Sequence, residues 1–163
     1  MLHKTPVVRL LLHTPRVARG VTLIELLIVL AIISTLSAIA VPTFQAYIDK
    51  TRVTRAMADI QMISLEISAY QAENDAVPAS LAEVGYDTLR DPWGNLYQYL
   101  NIETAQGTGK LRKDKFLVPI NSDYDLYSMG KDGESQAPLT AKASRDDIIR
   151  ANDGGYIGLA SGY

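Results

Sequence analysis

The chain has no cysteine, which removes disulfide frameworks, thiolate zinc sites and cysteine nucleophiles whatever the compartment. Its only two histidines, His3 and His13, fall in the first 20 residues. A basic surplus is missing too. Of 16 Lys and Arg, four (Lys4, Arg9, Arg16 and Arg19) lie in residues 1–20 with no acid among them, so the rest carries 12 against 18 Asp and Glu, a net charge of −6. Nonspecific nucleic-acid affinity comes mostly from phosphate contacts on a basic surface, so this balance argues against a general nucleic-acid binder. With 163 residues there is room for one small domain, or for one membrane segment and a smaller domain.

What the chain does have is a long apolar run, Val21 to Val41, in which Glu25 is the only ionisable side chain. As a helix rising ~1.5 Å per residue it spans roughly the 30 Å of a hydrocarbon core, which predicts one transmembrane helix. Basic residues precede the run, and neither Lys nor Arg occurs from Val21 to Ile48. This asymmetry places the N-terminus in the cytoplasm and everything after the span outside it. The competing reading is a secretory signal cut after Ser37-Ala38-Ile39-Ala40, which would release a soluble exported protein, an enzyme among the possibilities.

Beyond Pro42, the positions Val53, Met57, Ile60, Ile63, Ile67 and Tyr70 recur at spacings of three and four, one buried face of a helix. Asp49, Lys50, Arg52, Arg55, Asp59, Gln61 and Glu66 form its polar side. Pro42 is expected to kink this helix without ending it, and Asn74, Asp75 and Pro78 to stop it. Ser80-Leu81-Ala82-Glu83 reads as a capped helical turn, and Asp91-Pro92-Trp93-Gly94-Asn95 as a chain reversal. Strands are expected over 96–102, 115–120 and 124–129, the first two as a hairpin around 103–114. A small antiparallel sheet on the amphipathic helix would bring Trp93, Tyr97, Tyr99 and Leu126 into one core with Val53, Met57 and the isoleucines. Residues 130–163 read as loop.

Gly20-Val21-Thr22-Leu23-Ile24-Glu25, a glycine after Arg19 and then an apolar helix with a carboxylate at its fifth residue, resembles the processing site of type IV pilins and type II secretion pseudopilins. The resemblance implies removal of residues 1–20 as a leader by a prepilin peptidase cutting after Gly20, and N-methylation of Val21, which stands where the family usually has phenylalanine. The mature chain would then hold neither histidine nor cysteine, against any His-based triad or zinc hydrolase. A carboxylate inside a membrane costs roughly 3 kcal/mol on insertion scales and calls for a partner. In the family that partner is a neighbouring subunit's N-terminal amine. Thr22, Glu25 and Pro42 are therefore the assembly candidates. Snorkelling of Glu25 from the first helical turn is the alternative.

Asp91 to Tyr99, Tyr124 to Gly133 and Asp146-Asp147-Ile148 are similar to the major, G-type pseudopilin of type II secretion. That likeness implies an α+β fold of type IV pilin kind: a leader at 1–20, a transmembrane and assembly helix at 21–48, and an extracytoplasmic domain at 49–163. It also implies a calcium site in the C-terminal loop, with the Met129 carbonyl, Asp132, a carbonyl near Glu134, Asp146 and Asp147 as ligands; oxygen-rich Gly/Asp loops suit this hard cation. A solvated loop is the plain reading of the same residues. The implied role is a structural subunit of a helical homopolymer anchored in the bacterial inner membrane, its domain in the periplasm. Minor pseudopilins, an inner-membrane assembly platform and a cytoplasmic ATPase would be its partners; it would be no enzyme. A type IV pilus subunit, serving adhesion, motility or DNA uptake, is the second reading.

Gly107-Thr108-Gly109-Lys110 is not a phosphate loop, because Thr104 stands five positions before Gly109 and Leu111 follows Lys110. Lys110, Arg112, Lys113 and Lys115 read as a solvated hairpin end, with an acidic neighbouring subunit or DNA as the functional alternatives.

Overall fold

The computed structural model describes residues 20–163, so the leader, His3 and His13 included, lies outside the described residues apart from Gly20. Within the described residues the chain divides after Pro42 into two units. Helix α1 spans Leu23–Asn74 and contains Pro42, through which it continues. Asp75 then turns into the left-handed region at φ 57°, so the helix stops where Asn74 and Asp75 were expected to stop it.

In the first unit, the apolar side chains from Val21 to Val41 are 50–78% exposed, those of Leu23, Val29 and Ile39 among them. The helix is long and apolar enough to cross a membrane. Two of its hydroxyls are satisfied within it: Ser34 Oγ donates to the Leu30 carbonyl at 2.7 Å and Thr35 Oγ1 to that of Ala31 at 2.9 Å. This local pairing is what a hydroxyl in hydrocarbon requires.

In the second unit, Ala56, Ile60, Ile63 and Ile67 of α1 are fully buried, with Val53 and Met57 packed partly buried beside them. They face a four-stranded antiparallel sheet in the order β1 (Gln98–Asn101), β2 (Tyr124–Ser128), β3 (Ile148–Ala151) and β4 (Tyr156–Leu159). Tyr97, Tyr124, Leu126 and Ile148 complete this core, and Trp93 and Tyr99 lean on it. The Tyr97 hydroxyl donates to Asp59 Oδ2 at 2.9 Å and that of Tyr99 to the Pro78 carbonyl at 2.6 Å. A second cluster of Ile120, Leu139, Ile149, Ala151 and Ala160 packs with Tyr127. Register sets Tyr127 opposite Ile149, and side chains alternate along each strand, so the two clusters take opposite faces of the sheet.

Four expectations are corrected. Residues 115–120 form no strand: Asp114 and Leu117 close a tight turn, Lys115 has φ 47°, and Phe116 is fully exposed. Pro119 lacks the N–H a ladder needs, and the partner of β1 is β2, with Tyr99 opposite Leu126. The C-terminal segment is not all loop, since it supplies β3 and β4, joined through Asn152-Asp153-Gly154-Gly155. Arg112 is not part of a solvated hairpin end; it is 2% exposed. The turn at Leu81–Val84 forms, but the Ser80 hydroxyl does not cap it.

Candidate functional site

The N-terminal site is built by one turn of helix. Thr22-Leu23-Ile24-Glu25 closes a capping box, a Ser/Thr followed three residues later by Glu. Glu25 Oε2 accepts from the Thr22 backbone N–H at 2.8 Å and from Thr22 Oγ1 at 2.7 Å, and the Glu25 N–H points back to Thr22 Oγ1 at 3.3 Å. These bonds meet orphan donors of the first turn, where the helix dipole also favours a negative charge. One oxygen takes both donors, and a carboxylate offers two. Glu25 is therefore held at the head of the apolar helix, one turn from Gly20-Val21, with capacity for a further cationic partner. The pattern was readable from Thr22 and Glu25 alone, but sequence reasoning applied it only at Ser80.

The C-terminal loop carries the residues implied as calcium ligands. Asp146 Oδ2 accepts the backbone N–H groups of Lys131 and Asp132 at 2.7 and 3.1 Å. Asp132 Oδ1 accepts the Glu134 N–H at 2.9 Å. Gly130, at φ 64°, lies against Asp146; a Cβ there would overlap its backbone carbonyl and stand 2.7 Å from Oδ2, so only glycine fits. The Gly130 carbonyl accepts Asn95 Nδ2 at 3.2 Å, and Ser128 Oγ donates to Asp91 Oδ2 at 2.6 Å. The 91–95 turn is thus fastened to the start of the loop. Lys131 Nζ reaches Asp49 Oδ2 at 2.7 Å.

Asp147 is engaged elsewhere. It is fully buried, and its Oδ2 takes Arg112 Nη2 and Ser135 Oγ, each at 2.6 Å. Burial pushes its carboxyl above the ordinary range, with Ser135 and Arg112 pulling the other way. Among the described residues no three His, Cys, Asp or Glu side chains stand together as a metal site. Asp132 and Asp146 share the loop while Asp147 is held by a guanidinium, so the residues as arranged do not fit a calcium cage.

Two arginines organise the charge: Arg112, read from the sequence as part of a solvated hairpin end, and Arg150, which sequence reasoning did not single out. Arg112 lies over the Tyr127 ring at 4.2 Å. Arg150 forks onto Asp123, Nη1 to Oδ1 at 2.8 Å and Nη2 to Oδ2 at 2.7 Å, over the Tyr124 ring at 4.0 Å. Nothing local in Lys110 to Lys115 or Ile148 to Ala151 marks them, because the hydrogen-bond partners of their side chains lie 23 to 35 residues away.

Residues 15–41 match the prokaryotic N-terminal methylation motif. Over 138 residues the chain is 31% identical to the type II secretion system core protein G of Pseudomonas aeruginosa, an overlap of 71% of this chain and 84% of that protein. It is 52% identical over 130 residues to the type IV major alpha-pilin of Moraxella bovis, covering 78% and 72% of the two. A fimbrial protein of Pseudomonas aeruginosa is 38% identical over 136 residues, covering 83% and 81%. No solved structure matches the chain significantly.

Proposed function

The chain belongs to the type IV pilin-like family that joins fimbrial subunits and type II secretion core protein G, and on that premise we propose that it is the structural subunit of a type II secretion pseudopilus. A prepilin peptidase removes the leader after Gly20 and Val21 is N-methylated. The apolar half of α1 holds the subunit in the bacterial inner membrane, with residues 49–163 in the periplasm. Polymerisation draws these helices together into a helical homopolymer, with minor pseudopilins and an inner-membrane platform as partners. The chain carries out no catalysis of its own.

Glu25 is the observation that carries this reading. It is the single carboxylate of the apolar run Val21 to Val41, whose large apolar side chains are at least half exposed, and large exposed apolar surfaces mark membrane or protein contacts. The Thr22 capping box keeps Glu25 paired while a lone subunit waits in lipid. On assembly, the amine at Val21 of a neighbour adds a charge-assisted partner to the same carboxylate, which sets the stagger between subunits. Glu25→Ala is expected to insert and be processed like the parent yet form no filament in electron micrographs; normal filaments from that variant would sink the proposal.

A pilus subunit is the second reading, favoured by the 52% identity to the Moraxella bovis pilin. A deletion strain separates the two. Lost protein export with unchanged surface fibres supports the pseudopilus, and lost surface fibres with intact export supports the pilus.

A further inference from the structure

The buried surroundings of Arg112 carry an inference that goes beyond the choice between pilus and pseudopilus. Its guanidinium, 2% exposed, gathers the oxygen types a hard cation would draw: Nη1 donates to Ser135 Oγ at 2.6 Å and to the Gln136 carbonyl at 2.7 Å, and Nη2 to the Asp147 carboxylate at 2.6 Å. Ser135 Oγ in turn donates to the same carboxylate oxygen. We infer that Arg112 is a built-in cation that closes the C-terminal loop in place of calcium, so that loop closure in this chain needs no metal.

Three observations support this. The residue is held at both ends, because its backbone N–H donates to Asp125 Oδ2 at 2.8 Å while its carbonyl accepts the Ile120 N–H at 3.1 Å. The neighbouring backbone is stitched to the loop through Lys113 N–H to the Ala137 carbonyl at 3.1 Å and Leu139 N–H to the Lys113 carbonyl at 2.9 Å. Through its face on Tyr127, the guanidinium therefore joins β2, the 102–123 connection, the 135–139 segment and the residue before β3. Asp147 Oδ1 and Arg112 Nε make no hydrogen bond, so Oδ1 is the one oxygen of the pair open to another cation. A metal there would face the guanidinium at close range in a site shielded from water, where like charges repel strongly. Arginine also stays charged at all working pH values, which makes the clamp permanent where a metal clamp would follow ambient calcium.

The test is thermal melting of the full chain in detergent micelles, in millimolar calcium and in chelator. The parent is expected to melt at one temperature in both; stabilisation by calcium, as mass action requires of any ligand of the native state, overturns the inference. Arg112→Met is expected to lower the melting temperature by on the order of 10 °C, because it strands a buried carboxylate. Arg112→Met combined with Asp147→Asn is expected to recover part of that loss. Parent-like melting of Arg112→Met also overturns the inference. Should that variant fail to fold, the calcium comparison on the parent decides alone. Glu25→Ala filaments test the fibre reading separately, so failure of one leaves the other readable.

Discussion

The two units treat polar and apolar groups in opposite ways. From Val21 to Val41 the polar groups that pair do so within a turn or so, as Thr22 with Glu25 and Ser34 with the Leu30 carbonyl show, while the large apolar side chains stay exposed. In residues 43–163 a core that includes Ile60, Ile63, Leu126 and Ile148 is covered by its own chain, although Phe44, Leu65 and Phe116 stay exposed, and charges such as Arg112 and Asp147 are buried against partners distant in sequence. The first segment pairs locally and leaves its apolar surface open. The second encloses a core of its own and pairs its charges across the fold. A segment of the first kind waits for lipid or for copies of itself, whereas a segment of the second kind is a finished body to be carried.

The comparison breaks most sharply in the second unit's core. Ile63, fully buried between α1 and the sheet, is expected to cost about 2–5 kcal/mol when cut to alanine, read as the shift in denaturation midpoint. A loss near zero would mean that α1 does not depend on the sheet. Leu26→Ala, of equal chemistry in the first unit, is expected to leave that midpoint unchanged.

A smaller effect is expected at Thr22. Its hydroxyl and N–H both meet Glu25, and loss of an N-cap costs about 1 kcal/mol. Thr22→Ala should therefore speed amide exchange in the first turn of α1 roughly fivefold in micelles. Unchanged exchange would show that the capping box does not hold the helix head.

The smallest effect belongs to pH. Asp153 accepts the Ser122 backbone N–H at 2.7 Å and its hydroxyl at 2.9 Å, and the backbone bond leads in holding its carboxyl below the ordinary range. A depressed carboxyl contributes stability above its unfolded pKa of ~3.9, and that contribution is lost as pH falls through the folded value. Below about pH 4 the parent's melting temperature should accordingly fall more steeply than that of Asp153→Asn. Parallel curves would remove Asp153 from the account.

Legibility in the sequence followed the range of the interactions. Periodicity located the buried face at Ile60, Ile63 and Ile67, because a helix repeats its environment every three or four residues. β1 and β2 were visible as aromatic runs. The apolar composition of Lys115 to Ile120 was misleading, because strand formation also needs a partner edge and Pro119 and the turn at Asp114 and Leu117 deny it one. β3 and β4 are four residues each, too short for alternation to stand out, although the Asn-Asp-Gly-Gly turn between them was a usable signal. At the candidate sites, the methylation motif over residues 15–41, with Gly20 and Glu25 inside it, was legible because it is local. Arg112 was not, since a run of lysines looks the same whether or not one member turns inward to an aspartate 35 residues on.

The most direct test of the account is the mass and sequence of the N-terminus of the chain recovered from bacterial membranes. The account predicts a chain beginning at N-methylated Val21, one residue before the capping box. A soluble chain beginning near Val41 would contradict it, because the segment assigned to anchoring and assembly would then have been discarded.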